Sequence, residues 1–97
     1  MISKEEKKQL KALAYKIQVR YQIGKNEITD SLICMLDNAL TARELIKIDV
    51  MHGYTNDIMV LALDLASQLN AEIIQVLGRV IVLYRRNNKH PKIQFQK

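Results

Sequence analysis

At 97 residues the chain supports one compact core, because folding at this size buries roughly 65% of the unfolded surface. Hydrophobic residues at 48% and charged residues at 26% exclude a disordered or fibrous chain. The formal charge of +5 points toward an anionic partner, and the lone Cys34 excludes an internal disulfide and suits the cytoplasm.

In chain order, Ser3 and Glu6 form a capping box that predicts a first helix starting there. Leu10, Leu13, Ala14 and Ile17 recur with the helical period and should face inward. Lys4, Lys7, Lys8 and Lys11 repeat that spacing on the opposite stripe, with Tyr15 in line. Val19 to Ile23 alternates with period two and reads as a strand, which Gly24-Lys25-Asn26-Glu27 interrupts. Thr29 is the expected N-cap of a second helix that carries Leu32, Ile33, Leu36 and Leu40 on one face and ends near Arg43. Leu45 to Val50 is a second strand with Ile46, Ile48 and Val50 on one side.

His52 to Asn56 reads as a loop that delivers Asn56 as a cap. The third helix, about Asp57 to Leu69, is apolar almost all round and is expected to be the most buried. The apolar stretch Ile58 to Leu69 is broken by Asp64 and Gln68, so no membrane span is expected, and the charged N-terminus lacks the apolar run of a signal peptide. Glu72 to Leu77 is a third strand, Gly78-Arg79 a tight turn, and Val80 to Tyr84 a fourth strand, apolar throughout and therefore covered on both faces. Residues 86–97 are expected to form a loosely ordered basic tail, with a short extended piece at Ile93 to Phe95. The order α-β-α-β-α-β-β predicts an α/β fold: a single compact domain over 1–97 with a mixed four-stranded sheet, parallel crossovers and one antiparallel hairpin.

Charge is unevenly divided. Residues 1–25 hold Lys4, Lys7, Lys8, Lys11, Lys16, Arg20 and Lys25 against Glu5 and Glu6. The middle of the chain is acidic, and residues 79–97 hold Arg79, Arg85, Arg86, Lys89, Lys92 and Lys97 with no acid. If folding brings the two ends together, they form one positive face of the kind that binds polyanions. If it does not, the same residues are a solvated surface.

Catalytic and metal chemistry find no footing. His52, His90 and Cys34 lack ligand spacing, no dinucleotide fingerprint or nucleophile-base set stands out, and no cofactor or small-molecule substrate is expected. Cys34 is read as a small buried hydrophobe. The strand-to-helix junction Gly24-Lys25-Asn26-Glu27 presents backbone N–H groups and a lysine that favour phosphate. Its plain alternative is a turn in which Gly24 supplies a positive φ. Tyr15, at the end of the lysine stripe, offers a flat face for a base.

Four segments stand in register across nearly the whole chain: Leu10-Lys11-Ala12-Leu13-Ala14, Gln22 to Thr29, Arg43 to Ile48, and Gln75 to Arg79 with Val82 to Arg85. Together they resemble the CRM domain, the RNA-binding module of bacterial YhbY-type ribosome-maturation proteins and plant organelle splicing factors. The resemblance implies a sheet-and-helix fold similar to the C-terminal domain of bacterial initiation factor three. It also implies RNA binding through a Gly-x-x-Gly loop and neighbouring basic residues, with a precursor of the large ribosomal subunit as partner. Glu27 stands where the family has its second loop glycine, and Val19 where a proline is common. The expected RNA-facing residues are Gly24, Lys25 and Asn26 in the loop, Lys4, Lys7, Lys8, Lys11 and Lys16 in the stripe, and Arg20, Arg85 and Arg86 completing the face. A non-catalytic, monomeric RNA binder is thus the expectation. The alternative is a protein-docking module with incidental basic ends.

Overall fold

The computed structural model describes residues 3–17, 21–24, 29–51 and 57–87. They form α1 (Lys4–Lys16), β1 (Tyr21–Ile23), α2 (Asp30–Arg43), β2 (Leu45–Val50), α3 (Ile58–Leu69), β3 (Glu72–Leu77) and β4 (Val80–Tyr84). Each helix starts at a side-chain oxygen. Ser3 Oγ accepts from the Glu6 N–H at 3.1 Å while the Ser3 N–H donates to Glu6 Oε1 at 3.0 Å, completing the capping box. Thr29 Oγ1 accepts from Leu32 N–H at 3.1 Å. The cap of α3 is Asp57 rather than Asn56: Asp57 Oδ1 accepts from Met59 N–H at 2.8 Å, and its charge suits the positive end of a helix. Asn56 and the residues of the first strand before Tyr21 lie outside the described residues.

The sheet order is β1-β2-β4-β3. β1 runs parallel to β2, while β4 is antiparallel to both of its neighbours. Alternation along the strands divides the core. Ile46, Ile48, Ile81 and Leu83 face α2 and α3, where they pack with Leu36, Leu40, Leu61 and Leu65. Leu45, Val82 and Tyr84 face the other way, against Leu10 and Ala14 of α1. The result is a sheet with two helices on one side and a single helix on the other. Burying leucines such as Leu10 and Leu65 completely contributes roughly 1.5–3 kcal/mol each.

One helix cannot cover a four-stranded face. Leu13, expected inside, is accordingly 36% exposed. α3 buries more residues than the other helices, yet leaves Met59, Val60 and Leu63 exposed on its outer side. Cys34 is exposed, not buried. It lies two residues from Leu36, about 160° away around the helix, so it turns from the core.

Between β3 and β4 the register slips, with Ile73 opposite Leu83 but Gln75 opposite Val82. Ile74 is the extra residue of this bulge, so Ile74 and Gln75 both turn to the α1 side. The junction of α2 and β2 is strained: Glu44 is fully buried with φ 65°, a conformation that disfavours a side-chain-bearing residue. It is held in place because its carbonyl accepts from Arg85 N–H at 2.8 Å and its Oε2 from Asn87 N–H at 2.6 Å. Asn87 also donates through Nδ2 to the Thr41 carbonyl at 2.9 Å, so the segment expected to be loose from residue 86 is pinned at its start. Residues 88–97 lie outside the described residues. No described helix is long and apolar enough to cross a membrane.

Candidate nucleic-acid interface

α1 lies on the sheet through Leu10 and Ala14, which leaves Lys4, Lys7, Lys8, Lys11 and Lys16 exposed. Beneath it, Tyr84 ends β4 with its hydroxyl held above the usual 10.0. Burial is the main cause, the Glu44 carboxylate adds to it, the Arg86 charge opposes it, and Glu6 of α1 contributes a further small rise. Glu6 and Arg86 thus both act on the same phenol. Of the last described residues, Arg85 and Asn87 bond to α2, through Asp37 and Thr41, and Arg86 is exposed.

The helices divide charge between the two faces. α1 carries five lysines against Glu5 and Glu6, and Glu6 is tied to the cap. On the opposite face, α2 and α3 with its cap carry Asp30, Asp37, Asp57 and Asp64 against Arg43.

Arg85 belongs to the acidic side. Its Nη1 donates to Asp37 Oδ1 at 2.6 Å and to the Leu69 carbonyl at 2.9 Å. Its Nη2 donates to the Asp37 carbonyl and to Thr41 Oγ1, both at 2.9 Å. The guanidinium therefore ties β4 to α2 and to the last turn of α3, where helix carbonyls favour a cation. Arg85, expected on the RNA-facing side with Arg86, has its guanidinium engaged on α2 and α3, whereas Arg86 is exposed.

Sequence reasoning also passed over Lys47. Only 9% exposed, it faces α1 from the centre of the sheet and donates to the Ile17 carbonyl at 3.4 Å. Lys47 lines a cleft of about 160 Å³ between α1 and the β3–β4 hairpin, together with Lys11, Tyr15 and Gln75 and the apolar Leu77, Val80 and Val82. The signal was available in the period of β2: with Ile46, Ile48 and Val50 on one side, Lys47 has to be on the other. Among the described residues, no three His, Cys, Asp or Glu side chains gather as a metal site.

A family model, the CRS1 / YhbY (CRM) domain, matches residues 2–85. The chain belongs to that family. This CRM domain is 30% identical over 94 residues to "Probable RNA-binding protein YqeI" of Bacillus subtilis, a match covering 97% of this chain and 98% of the relative. It is 28% identical over 91 residues to "Probable RNA-binding protein PA4753" of Pseudomonas aeruginosa, covering 94% and 88% respectively. Its fold is similar to the solution structure of SAV1595 from Staphylococcus aureus, with a TM-score of 0.80 and 34% identity over 99% of this chain and 100% of that one.

In this CRM domain the family's loop begins at Gly24, while Lys25, Asn26, Glu27 and Arg20 lie outside the described residues. Gly24 follows β1, and the neighbouring Ile23 carbonyl accepts from Met51 N–H at 2.9 Å. Its φ is not positive, in contrast to the plain-turn reading. A Cβ there would meet Met51 Sδ at 3.8 Å, an ordinary contact. Gly24→Ala should therefore leave Tm within about 3 °C, so that any change in RNA affinity reports on the loop surface itself. Gly78 is the opposite case, with φ at 59° and open space around it. Gly78→Ala should cost about 1 kcal/mol, a fall in Tm of roughly 5 °C, through backbone strain alone. Thermal melts of the two variants check both statements.

Proposed function

We propose that the protein is a non-catalytic RNA-binding domain that docks on ribosomal RNA during assembly of the large subunit. The observation that carries this reading is the division of charge: exposed lysines along α1, with the acidic residues of α2 and α3 on the far side of the sheet. A surface built this way attracts phosphate and orients the protein as it approaches. The relatives named as RNA-binding proteins support the same partner. The large-subunit precursor comes from the likeness to single-domain bacterial CRM proteins.

In this reading Lys4, Lys7, Lys8, Lys11 and Lys16 supply the electrostatic stripe, Gly24, Lys25 and Asn26 meet the RNA backbone, and Arg20 and Arg86 complete the face. Arg85 is left out, since its guanidinium is engaged on α2 and α3. The domain works as a cytoplasmic monomer without a cofactor. Affinity comes mainly from phosphates, and RNA shape sets selectivity.

About five phosphate contacts make log K fall with log salt at a slope of roughly −3 to −5. Titrations of a structured ribosomal RNA fragment across a salt series measure this, and an affinity independent of salt would refute the reading. That second outcome would favour protein docking on the open apolar side of α3, where Met59, Val60 and Leu63 are 49%, 62% and 57% exposed. Crosslinking in cells followed by sequencing of the attached RNA identifies the target segment.

A further inference from the structure

We propose that the cleft between α1 and the β3–β4 hairpin receives one unpaired pyrimidine of the bound RNA, with Tyr15 stacking on the base and Lys47 and Gln75 reading its edge. The inference rests on the RNA-binding reading and adds a base-specific position to a surface that is otherwise blind to sequence.

Size comes first. The cleft holds about 160 Å³. An apolar cavity of roughly 150 Å³ is enough to bind benzene, so one six-membered ring fits here.

The lining suits a base as well. Val80 and Val82 form apolar walls, and Tyr15 and Leu77 stand at 75% and 62% exposure beside them. A base lying between them would cover both side chains, and stacking on an aromatic ring is the usual way proteins hold single-stranded nucleotides.

Edge chemistry then narrows the choice. A lysine ammonium has three donors and no acceptor, and among the described residues Lys47 has one hydrogen bond, to Ile17 at 3.4 Å. A buried ammonium so thinly bonded is suited to a carbonyl oxygen arriving in the cleft. The Gln75 amide, turned to this side by the bulge, both donates and accepts. Uracil, with two carbonyl oxygens around one N–H, complements a lysine and an amide together. Lys11 at the rim adds positive charge for the attached phosphate.

Three RNA hairpins with a common stem test the proposal: one with a uridine loop, one with an adenosine loop and one with an abasic loop. Their affinities are measured at fixed salt for the natural protein, Tyr15→Ala and Gln75→Leu. The natural protein should prefer the uridine loop over the abasic loop by about tenfold, and each substitution should reduce that ratio toward one. Because the readout is a ratio within one protein, a general loss of binding does not imitate it. Equal affinity for uridine and abasic loops would overturn the proposal while leaving RNA binding intact. So would a preference that survives both substitutions, or one at least as strong for adenosine. Failure of the natural protein to bind any hairpin would overturn the RNA-binding reading itself, and this proposal with it.

Discussion

Replacing Lys4, Lys7, Lys8 and Lys11 together with glutamine should weaken binding to structured RNA by roughly 10³-fold at 0.1 M salt and flatten the salt slope to about −1. The magnitude follows from counting contacts, since each lysine lost removes one released counterion, worth close to a tenfold change per decade of salt. The fold should survive. All four side chains are exposed, and glutamine matches lysine in helix propensity. The N-terminal end of α1 also disfavours cations, and Lys4 and Lys7 lie there. Tm should consequently hold or rise slightly while affinity collapses. That combination, read from a thermal melt beside a binding titration, separates lost phosphate contacts from unfolding. A variant that keeps its affinity would mean that α1 does not face the RNA.

Arg85→Met should have the reverse profile: a loss of about 3 kcal/mol, lowering Tm on the order of 15 °C, with RNA affinity per folded molecule unchanged. Little of this comes from the ion pair, because Asp37 is 54% exposed and water screens the attraction. Most comes from the charge-assisted bonds to the Leu69 and Asp37 carbonyls and to Thr41, which tie the end of β4 to α2 and to the last turn of α3. Arg86→Met, one residue on, should leave Tm within about 4 °C and reduce RNA affinity several-fold. If Arg85→Met instead left stability intact and cost affinity, the assignment of the two arginines would be exchanged.

This pair also shows where sequence reading succeeds and where it stops. Caps and periodicity are local signals, and they were enough to locate the helices and the second, third and fourth strands: Ser3 with Glu6, Thr29, and the apolar run from Val80 all mark the boundaries observed. Period two in β2, carried one step further, assigns Lys47 to the α1 side, opposite Ile46 and Ile48. What no local pattern contains is the partner of each strand. A mixed sheet is implied by helices between strands and a two-residue turn, but the insertion of β4 between β2 and β3 depends on long-range packing. The bulge at Ile74 is equally silent, because Ile-Ile-Gln-Val reads as a strand with or without an extra residue. Cys34 was misplaced because it sits beside apolar neighbours in the sequence, whereas angle around the helix decides burial.

The position of β4 has a consequence for how the molecule is made. Among the described residues the last strand in the sequence is an inner one, and it alone bridges β2 and β3. A nascent polypeptide that stops short of Val80 can zip β1 to β2, but β3 is left without a neighbour and the apolar surface under α1 lacks Val82 and Tyr84. The sheet therefore cannot close before β4 is available, and until then the edges of β2 and β3 lack the partner they have in the folded domain.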